Sequence, residues 1–211
     1  MKTVTIHRAR YGPRDDSHQL LASSLPSGVL PPELQLITDA PQSPPRGYRW
    51  DAHVSCAPVG RWFAFWMFWS DETQSRAGHV CVEVALILRA RVGEIGDVTS
   101  IFNALARARA APPEKVEALQ FPATLSEPPV EPRRYRALTS LLADATRTKL
   151  PVIADHGELR ALMQELWRNL WPAARAGLIV RWFCQPHHLG RRPPELIVAT
   201  PRARVDLWRG Y

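Results

Sequence analysis

Residues 15–19, DDSHQ, bring together side chains that perform acid–base and nucleophilic chemistry. A serine nucleophile, a histidine base and an orienting carboxylate form the catalytic triad of many hydrolases, and Asp15, Asp16, Ser17 and His18 supply all three types. Triads are normally assembled from distant segments, however, and in an extended strand Ser17 and His18 face opposite sides. We therefore predict a structural role, in which the aspartates close a turn and His18 bonds to a neighbouring strand or loop.

The pattern nearest to a metal site is FCQPHHLG, in which Cys184 is followed by His187 and His188. Thiolate and imidazole are ligands that zinc prefers, and Cys81 or His79 would have to complete the tetrahedron. The spacing is loose and the fourth ligand must be borrowed from a distant segment. We therefore predict that Cys184 ends a buried strand, that the two histidines lie on a hydrated loop, and that no metal is bound.

Motifs that hold nucleotides or catalytic zinc are absent from the sequence. The chain contains no GxxxxGK[ST], GxGxxG or HExxH motif and no pair of CxxC motifs. A P-loop holds phosphates through its backbone amides and a lysine, so we do not expect the chain to hydrolyse GTP or ATP by that route. The sequence predicts a protein that is not an enzyme, with no catalytic residues and no cofactor.

The longest unbroken apolar run, WFAFWMFW, spans residues 62–69. Its aromatic side chains could form a platform on which nucleic-acid bases stack, but such platforms are interleaved with cationic residues. No lysine or arginine interrupts this run, so we predict that it belongs to the core, or to a core shared with a partner. The aromatic residues concerned are Trp62, Phe63, Phe65, Trp66, Phe68 and Trp69.

The charge balance and the cysteines bound the partners and the compartment. Lysine and arginine outnumber aspartate and glutamate by 27 to 20, a formal net charge of +7, which suits nucleic acid, an anionic membrane surface or an acidic protein. Three widely spaced cysteines fit reduced, buried thiols in a cytoplasm. No apolar run has the form of a signal peptide or the length of a membrane span. We predict a cytoplasmic protein with no membrane partner.

The first half of the chain predicts mainly antiparallel strands. Turn chemistry at Gly12-Pro13 and Asp15-Asp16 favours an initial hairpin over the alternative, a short helix capped by Ser17. PPELQLITD predicts a short helix, and three strands follow in YRWDAHVSCAPVGRWFAFWMFWSD and HVCVEVALIL. On the third of these strands Glu83 shares a face with apolar side chains, which is an unusual position for a carboxylate.

The second half mixes helices and strands. A helix is predicted over residues 98–109, and GELRALMQELWRNLW has the clearest helical spacing, with Pro172 beyond its end. KLPVIAD, LIVRWF and ELIVAT predict short strands, and the proline-rich residues 126–133 mark the only candidate internal boundary. The element order therefore predicts one compact α+β domain, residues 1–211, with an antiparallel sheet-rich first half and a mixed α/β second half.

Several dispersed segments together resemble a known family. The first half contains S-H-Q-L-L-A-S-S, L-I-T-D, P-P-R-G-Y, R-W-F-A-F-W-M-F-W and R-A-G-H-V, in that order. The second half contains ELWRNLWPAARAGLIVRWFC, which is similar to a Leu-Trp-x-x-x-Trp-Pro segment that leads into a Phe-Cys strand, and GRRPPELIVATPRA. From Thr5 to Arg204 the chain resembles the N-terminal domain, first type, of bacterial GTPase-associated proteins.

This resemblance implies a non-enzymatic or scaffolding module, encoded beside a GTPase in bacterial conflict systems that act in defence against phage. Where the family has a Trp-Thr-His-Thr-like run, this chain has residues 81–84, CVEV, so no role of that histidine can be carried over. Family members tend to continue into further domains, whereas this chain stops at Tyr211. We therefore expect that it meets those domains as separate protein partners.

Three functional hypotheses follow from these observations. The first is a cytoplasmic adaptor or scaffold that binds protein partners through Trp208, unless that side chain folds back onto its own domain, and through Arg202, Arg204 and Arg209. The second is a small basic subunit of a nucleoprotein complex, whose phosphate-binding residues would be Arg133, Arg134, Arg136, Arg191 and Arg192. The third is a hydrolase that pairs His18 with a distant nucleophile.

Overall fold

The fold is taken from a computed structural model of the 211-residue chain. It describes residues 2–15, 17–26, 28–39, 53–70, 80–108, 116–123, 152–154, 159–182 and 196–199. The candidate internal boundary at residues 126–133 lies outside the described residues.

Within the described residues the structure has nine strands, four α-helices and one 3₁₀ helix. The strands are β1 (Thr3–Arg14), β2 (Ser17–Ser23), β3 (His53–Val59), β4 (Trp62–Ser70), β5 (Val80–Leu88), β6 (Leu119–Pro122), β7 (Val152–Ala154), β8 (Val180–Trp182) and β9 (Leu196–Ala199). The helices are α1 (Glu33–Thr38), the 3₁₀ helix Arg89–Glu94, α2 (Val98–Ala108), α3 (Leu159–Asn169) and α4 (Pro172–Arg175).

The described strands form one mixed sheet in the order β2-β1-β5-β4-β3-β8-β9-β7, with β6 paired to β1. The pairings from β2 across to β8 are antiparallel, whereas β9 runs parallel to both β8 and β7. Strand β6 is also antiparallel to β1. The sequence prediction of an α+β fold, with an antiparallel first half and a mixed second half, is confirmed.

The initial hairpin forms as predicted, and its turn lies at the second of the two predicted turn signals. Gly12 and Pro13 are paired with Gln19 and His18, so they belong to the strand, and the chain reverses at Asp15. Asp15 has a φ of 48°, in the left-handed region that aspartate tolerates better than most residues. Of the two turn signals in the sequence, Asp15 is therefore confirmed, whereas Gly12-Pro13 continues the strand. Proline is tolerated there because the pairing of β1 with β5 stops before Pro13, so its missing N–H interrupts no bond on that side.

Strand β4 is the centre of the sheet, because β5 and β3 pair with it on its two sides. All residues from Trp62 to Trp69 are buried, so the aromatic run is core, as the sequence predicts. Strands β3 and β4 are joined by Gly60-Arg61, with Gly60 at a φ of 57° that glycine adopts without steric cost. The prediction of buried cysteines holds for Cys56, whereas Cys81 is only half-buried.

Helices α2 and α3 cover one face of this central region through aromatic contacts. The ring centroid of Phe65 lies 5.8 Å from that of Phe102 on α2 and 5.2 Å from that of Trp167 on α3. Trp167 also contacts Phe63, at 5.8 Å. Such contacts add about 0.5–1.5 kcal/mol per pair beyond apolar burial, so they fix the two helices on the sheet.

Candidate partner surface

His18 makes structural contacts in the hairpin. Its Nε2 lies 3.2 Å from the Oγ1 of Thr38 on α1, and its ring stacks on Tyr11 with 5.9 Å between centroids. The hydroxyl of Ser17 donates instead to the carbonyl of Arg14, at 3.2 Å. His18 therefore joins β2 to helix α1, where the sequence predicted a bond to a strand or loop. Asp16 lies outside the described residues.

Of the candidate metal ligands, the described part of the chain contains only Cys81. Within that part, no group of three histidine, cysteine or acidic side chains could hold a metal ion. Cys81 is described, whereas His79, Cys184, His187 and His188 lie outside the described residues. The prediction that no metal is bound at these residues stays a prediction.

Glu83, the carboxylate that the sequence places among apolar side chains, is fully buried between two arginines of β1. Its Oε2 accepts a hydrogen bond of 3.0 Å from Nη2 of Arg8, and its Oε1 accepts one from Nε of Arg10. Arg10 also donates from Nη2 to the carbonyl of Ala108, at 2.6 Å, at the C-terminal end of α2. A cation at a helix C-terminus is favourable, so this cluster holds α2 onto the sheet.

Two cavities open on the described surface. One, of about 400 Å³, lies between the hairpin and α1 and is lined by Tyr11, Leu20, Leu25 and three prolines. Burial raises the pKa of Tyr11 to about 12, so its hydroxyl stays protonated at neutral pH. The other, of about 350 Å³, lies between α2 and β6 and includes Asp97, whose side chain accepts hydrogen bonds from the first turn of α2. In this second lining the hydroxyl of Ser100 donates to Oδ2 of Asp97 at 2.6 Å, at the start of α2.

The most exposed aromatic side chain of the described residues is Trp171, which keeps 82% of its surface accessible to solvent. The residues that follow it, Pro172, Ala173 and Ala174, are exposed as well. An exposed tryptophan beside other apolar residues is characteristic of protein-binding sites. We call the exposed segment Trp171–Ala174 the Trp171 surface.

The Trp171 surface rests on a buried arginine. Arg175 is 1% exposed, and its Nε and Nη1 donate hydrogen bonds of 3.1 and 3.0 Å to the carbonyls of Leu170 and Ile95. Its guanidinium also lies over the ring of Trp167, 5.6 Å from the centroid. Burial lowers the pKa of Arg175 from its ordinary value. These contacts fix the backbone on both sides of Trp171, because Arg175 N–H also donates to the Trp171 carbonyl at 3.1 Å.

The 3₁₀ helix contacts the Trp171 surface and the residues that follow it. A Cβ atom added at Gly93 would lie 2.8 Å from Cβ of Pro172, so the two segments approach as closely as a glycine permits. Arg89, at the other end of the 3₁₀ helix, donates from Nε to the carbonyl of Ala176 at 2.9 Å. The exposed segment is therefore held at both of its ends by a neighbouring element.

The charges beside the Trp171 surface are mainly positive. Arg168, three residues before Trp171, is exposed and has no hydrogen bond or ion pair to another described residue. The side chain of Arg89 is also exposed, and among the described residues it bonds only to the carbonyl of Ala176. Glu94 on the 3₁₀ helix is already paired, because it accepts hydrogen bonds from Arg91 and lies 3.2 Å from Nζ of Lys2. The hydrogen bonds from Arg91, followed by those from Lys2, lower the pKa of Glu94 to about 2.

The residues that the sequence proposed for binding are not those of this surface. Trp208, with Arg202, Arg204 and Arg209, and the five phosphate-binding candidates from Arg133 to Arg192 all lie outside the described residues. Sequence reasoning took Trp171 as the last residue of the helix and gave its side chain no role. At Trp171 the backbone leaves the helix, with a ψ of 144° before Pro172, and the side chain is exposed. A tryptophan directly before the helix-ending proline was the available signal.

The fold and this surface define an α+β domain whose first half is an antiparallel sheet and whose second half presents a supported tryptophan. Residues 5–105 match the family described as GTPase-associated protein 1, N-terminal domain type 1. No curated protein and no solved structure matches the chain. Within the described residues, no helix has the length and apolar content needed to cross a membrane.

The match confirms the resemblance seen in the first half of the sequence. Glu83 and its arginine partners lie within the matched residues, whereas the Trp171 surface lies beyond them. The resemblance of the second half, up to Arg204, stays a prediction.

Proposed function

We propose that the chain is a non-catalytic adaptor or scaffold subunit of a bacterial GTPase-associated conflict system, one that defends against phage. It acts through protein–protein contacts in the cytoplasm, without a cofactor, and its partners are encoded alongside it and include a GTPase. The family description supports the link to a GTPase system. The observation that carries the adaptor role is the exposure of Trp171 on a rigid support.

The size of the tryptophan side chain makes this exposure energetically important. Burying a tryptophan removes about 150–250 Å² from water. At about 25 cal/mol per Å² this corresponds to about 4–6 kcal/mol before the costs of association. Part of those costs is the ordering of loops and side chains at the interface. Because Arg175 already fixes the backbone around Trp171, the surface loses little backbone freedom when a partner covers it.

Co-purification of neighbouring gene products tests this proposal. The chain is tagged, co-expressed with the proteins encoded beside it, and purified with and without nuclease treatment, as wild type, Trp171→Ala and Leu36→Ala. Leu36 is the matched control, because it is 79% exposed and lies on α1, away from the Trp171 surface. We expect the wild type and Leu36→Ala to retain a partner protein after nuclease treatment and Trp171→Ala to lose it.

Two results would contradict the proposal. Retention of the partner by Trp171→Ala at the wild-type level would show that this tryptophan carries no interface. Loss of every partner on nuclease treatment would favour the nucleoprotein alternative instead.

A further inference from the structure

The charges that border the Trp171 surface are not balanced within the described part of the chain. Arg168, three residues before Trp171, and Arg89, which bonds to the carbonyl of Ala176, are both exposed. Glu94, the acid of the 3₁₀ helix, is paired with Arg91 and Lys2. Glu165 is half-buried, three residues before Arg168, and no ion pair joins the two. An apolar centre bordered by unpaired arginines calls for a partner with carboxylates around an apolar residue.

We propose that the Trp171 surface binds an acidic protein segment whose apolar side chain packs on Trp171. Carboxylates of that segment pair with the guanidinium groups of Arg168 and Arg89. This inference rests on the proposed adaptor function and adds the chemistry of the partner. The formal net charge of +7 favours the same kind of partner, because it attracts an acidic chain from a distance.

A nucleic acid is the competing occupant, since bases also stack on tryptophan. Proteins that bind single strands combine their stacking residues with a basic groove that follows the phosphate backbone. Here Trp171 is followed by Pro172, Ala173 and Ala174, which contribute no charge. The composition of the surface therefore favours an apolar contact with an acidic border over a phosphate track.

A labelled peptide tests the inference directly. The probe is a fluorescein-labelled 15-residue peptide in which glutamates flank a central Leu-Leu pair, and its binding to the full chain is followed by fluorescence anisotropy. A peptide with lysine in place of each glutamate and a 15-nucleotide single-stranded oligonucleotide serve as competing probes. The proteins are the wild type, Trp171→Ala and Arg168→Glu, with Leu36→Ala and Arg14→Glu as matched controls. Arg14 is exposed at the far end of β1, so its reversal changes the net charge equally.

The acidic peptide is expected to bind the wild type and both controls. Loss of a central aromatic contact weakens binding by about thirtyfold or more in Trp171→Ala. Reversal of a rim charge weakens it about fivefold or more in Arg168→Glu and makes binding less sensitive to salt between about 50 and 300 mM.

Three outcomes would overturn the inference. In the first, the glutamate and lysine peptides bind the wild type equally well. In the second, Arg168→Glu and Arg14→Glu weaken binding of the acidic peptide equally. In the third, the oligonucleotide binds more tightly than the acidic peptide, and this binding depends on Trp171. If any of these occurs while Trp171→Ala still loses its co-purifying protein, the adaptor proposal stands and only the acidic chemistry of the partner is wrong.

Discussion

Replacing Glu83 by glutamine is predicted to destabilise the protein severely. The amide keeps the shape of the side chain but removes its negative charge from between Arg8 and Arg10, which are 8% and 4% exposed. Both guanidinium groups form ion pairs with Glu83, and Nε of Arg8 has no hydrogen-bond partner among the described residues. Without the carboxylate, the buried guanidinium group of Arg8 loses its ion pair and that of Arg10 loses one of its partners.

The magnitude follows from the burial of the cluster. Removing one partner of a buried ion pair costs about 3–5 kcal/mol, because the remaining charge is left without compensation. Domains unfold with about 5–15 kcal/mol, so this loss is a large fraction of the total. For a chain of this length it lowers the melting temperature by roughly 6–20 °C. Replacing all three residues together, as Arg8→Met, Glu83→Leu and Arg10→Met, should cost less than the single change, because no charge stays buried.

Urea unfolding followed by tryptophan fluorescence measures these differences. Glu33→Gln is the control, because Glu33 is exposed in the first turn of α1 and its charge should contribute only about 0.3–1 kcal/mol there. Unfolding midpoints are compared at equal slopes, so that a shift reports stability and not a change in the unfolded state. A midpoint for Glu83→Gln equivalent to less than about 1 kcal/mol of lost stability would refute the reasoning.

Three further predictions concern local contacts. Gly93→Ala should lower the free energy of unfolding by about 1–3 kcal/mol, measured by urea unfolding, because its Cβ would lie too close to Pro172. Gly12→Ala should lower it less, because the closest atom to its Cβ is the flexible end of a leucine side chain. Equal losses in the two variants would contradict this. His18→Ala should lose about 1–3 kcal/mol, seen as a lower melting temperature, because it leaves a buried hydroxyl on α1 with one contact fewer; unchanged melting would refute it. The ordinary pKa of Glu94, 4.5, falls to about 2 on folding, so its ion pairs stabilise the fold fully above about pH 4.5 and lose this effect as the pH falls towards 2. Melting curves of Glu94→Gln should therefore depend less on pH than the wild type between pH 4.5 and 2, and identical pH profiles would count against this.

Most of the sheet could be predicted from the sequence because its local signals agree. The apolar run of β4 has no solvent face, which identifies a central strand, and the alternation along β5 marks Glu83 as out of place. The partners of Glu83 could not be predicted in the same way. They are set by the register of β1 against β5, which pairs Arg10 with Glu83 across 73 residues.

At two places a local expectation differs from the structure. Gly12-Pro13 is strong turn chemistry, but the strand continues through it because the chain reverses three residues later at Asp15. The segment with helical spacing was expected to run to Trp171, but the helix ends at Asn169 and Arg175 holds the chain in its new direction. The spacing of apolar residues identifies a helix but does not fix its last residue, so the exposure of Trp171 was missed.

Footprinting of Trp171 in the assembled complex tests the central claim most directly. The chain and its co-purifying protein are exposed to hydroxyl radicals, and oxidation of Trp171 and Leu36 is quantified by mass spectrometry in the free and bound states. Both side chains are similarly exposed in the free chain, at 82% and 79%. The adaptor account predicts that the partner protects Trp171 several-fold and leaves Leu36 unchanged. Oxidation of Trp171 at the same rate in the complex as in the free chain would contradict it.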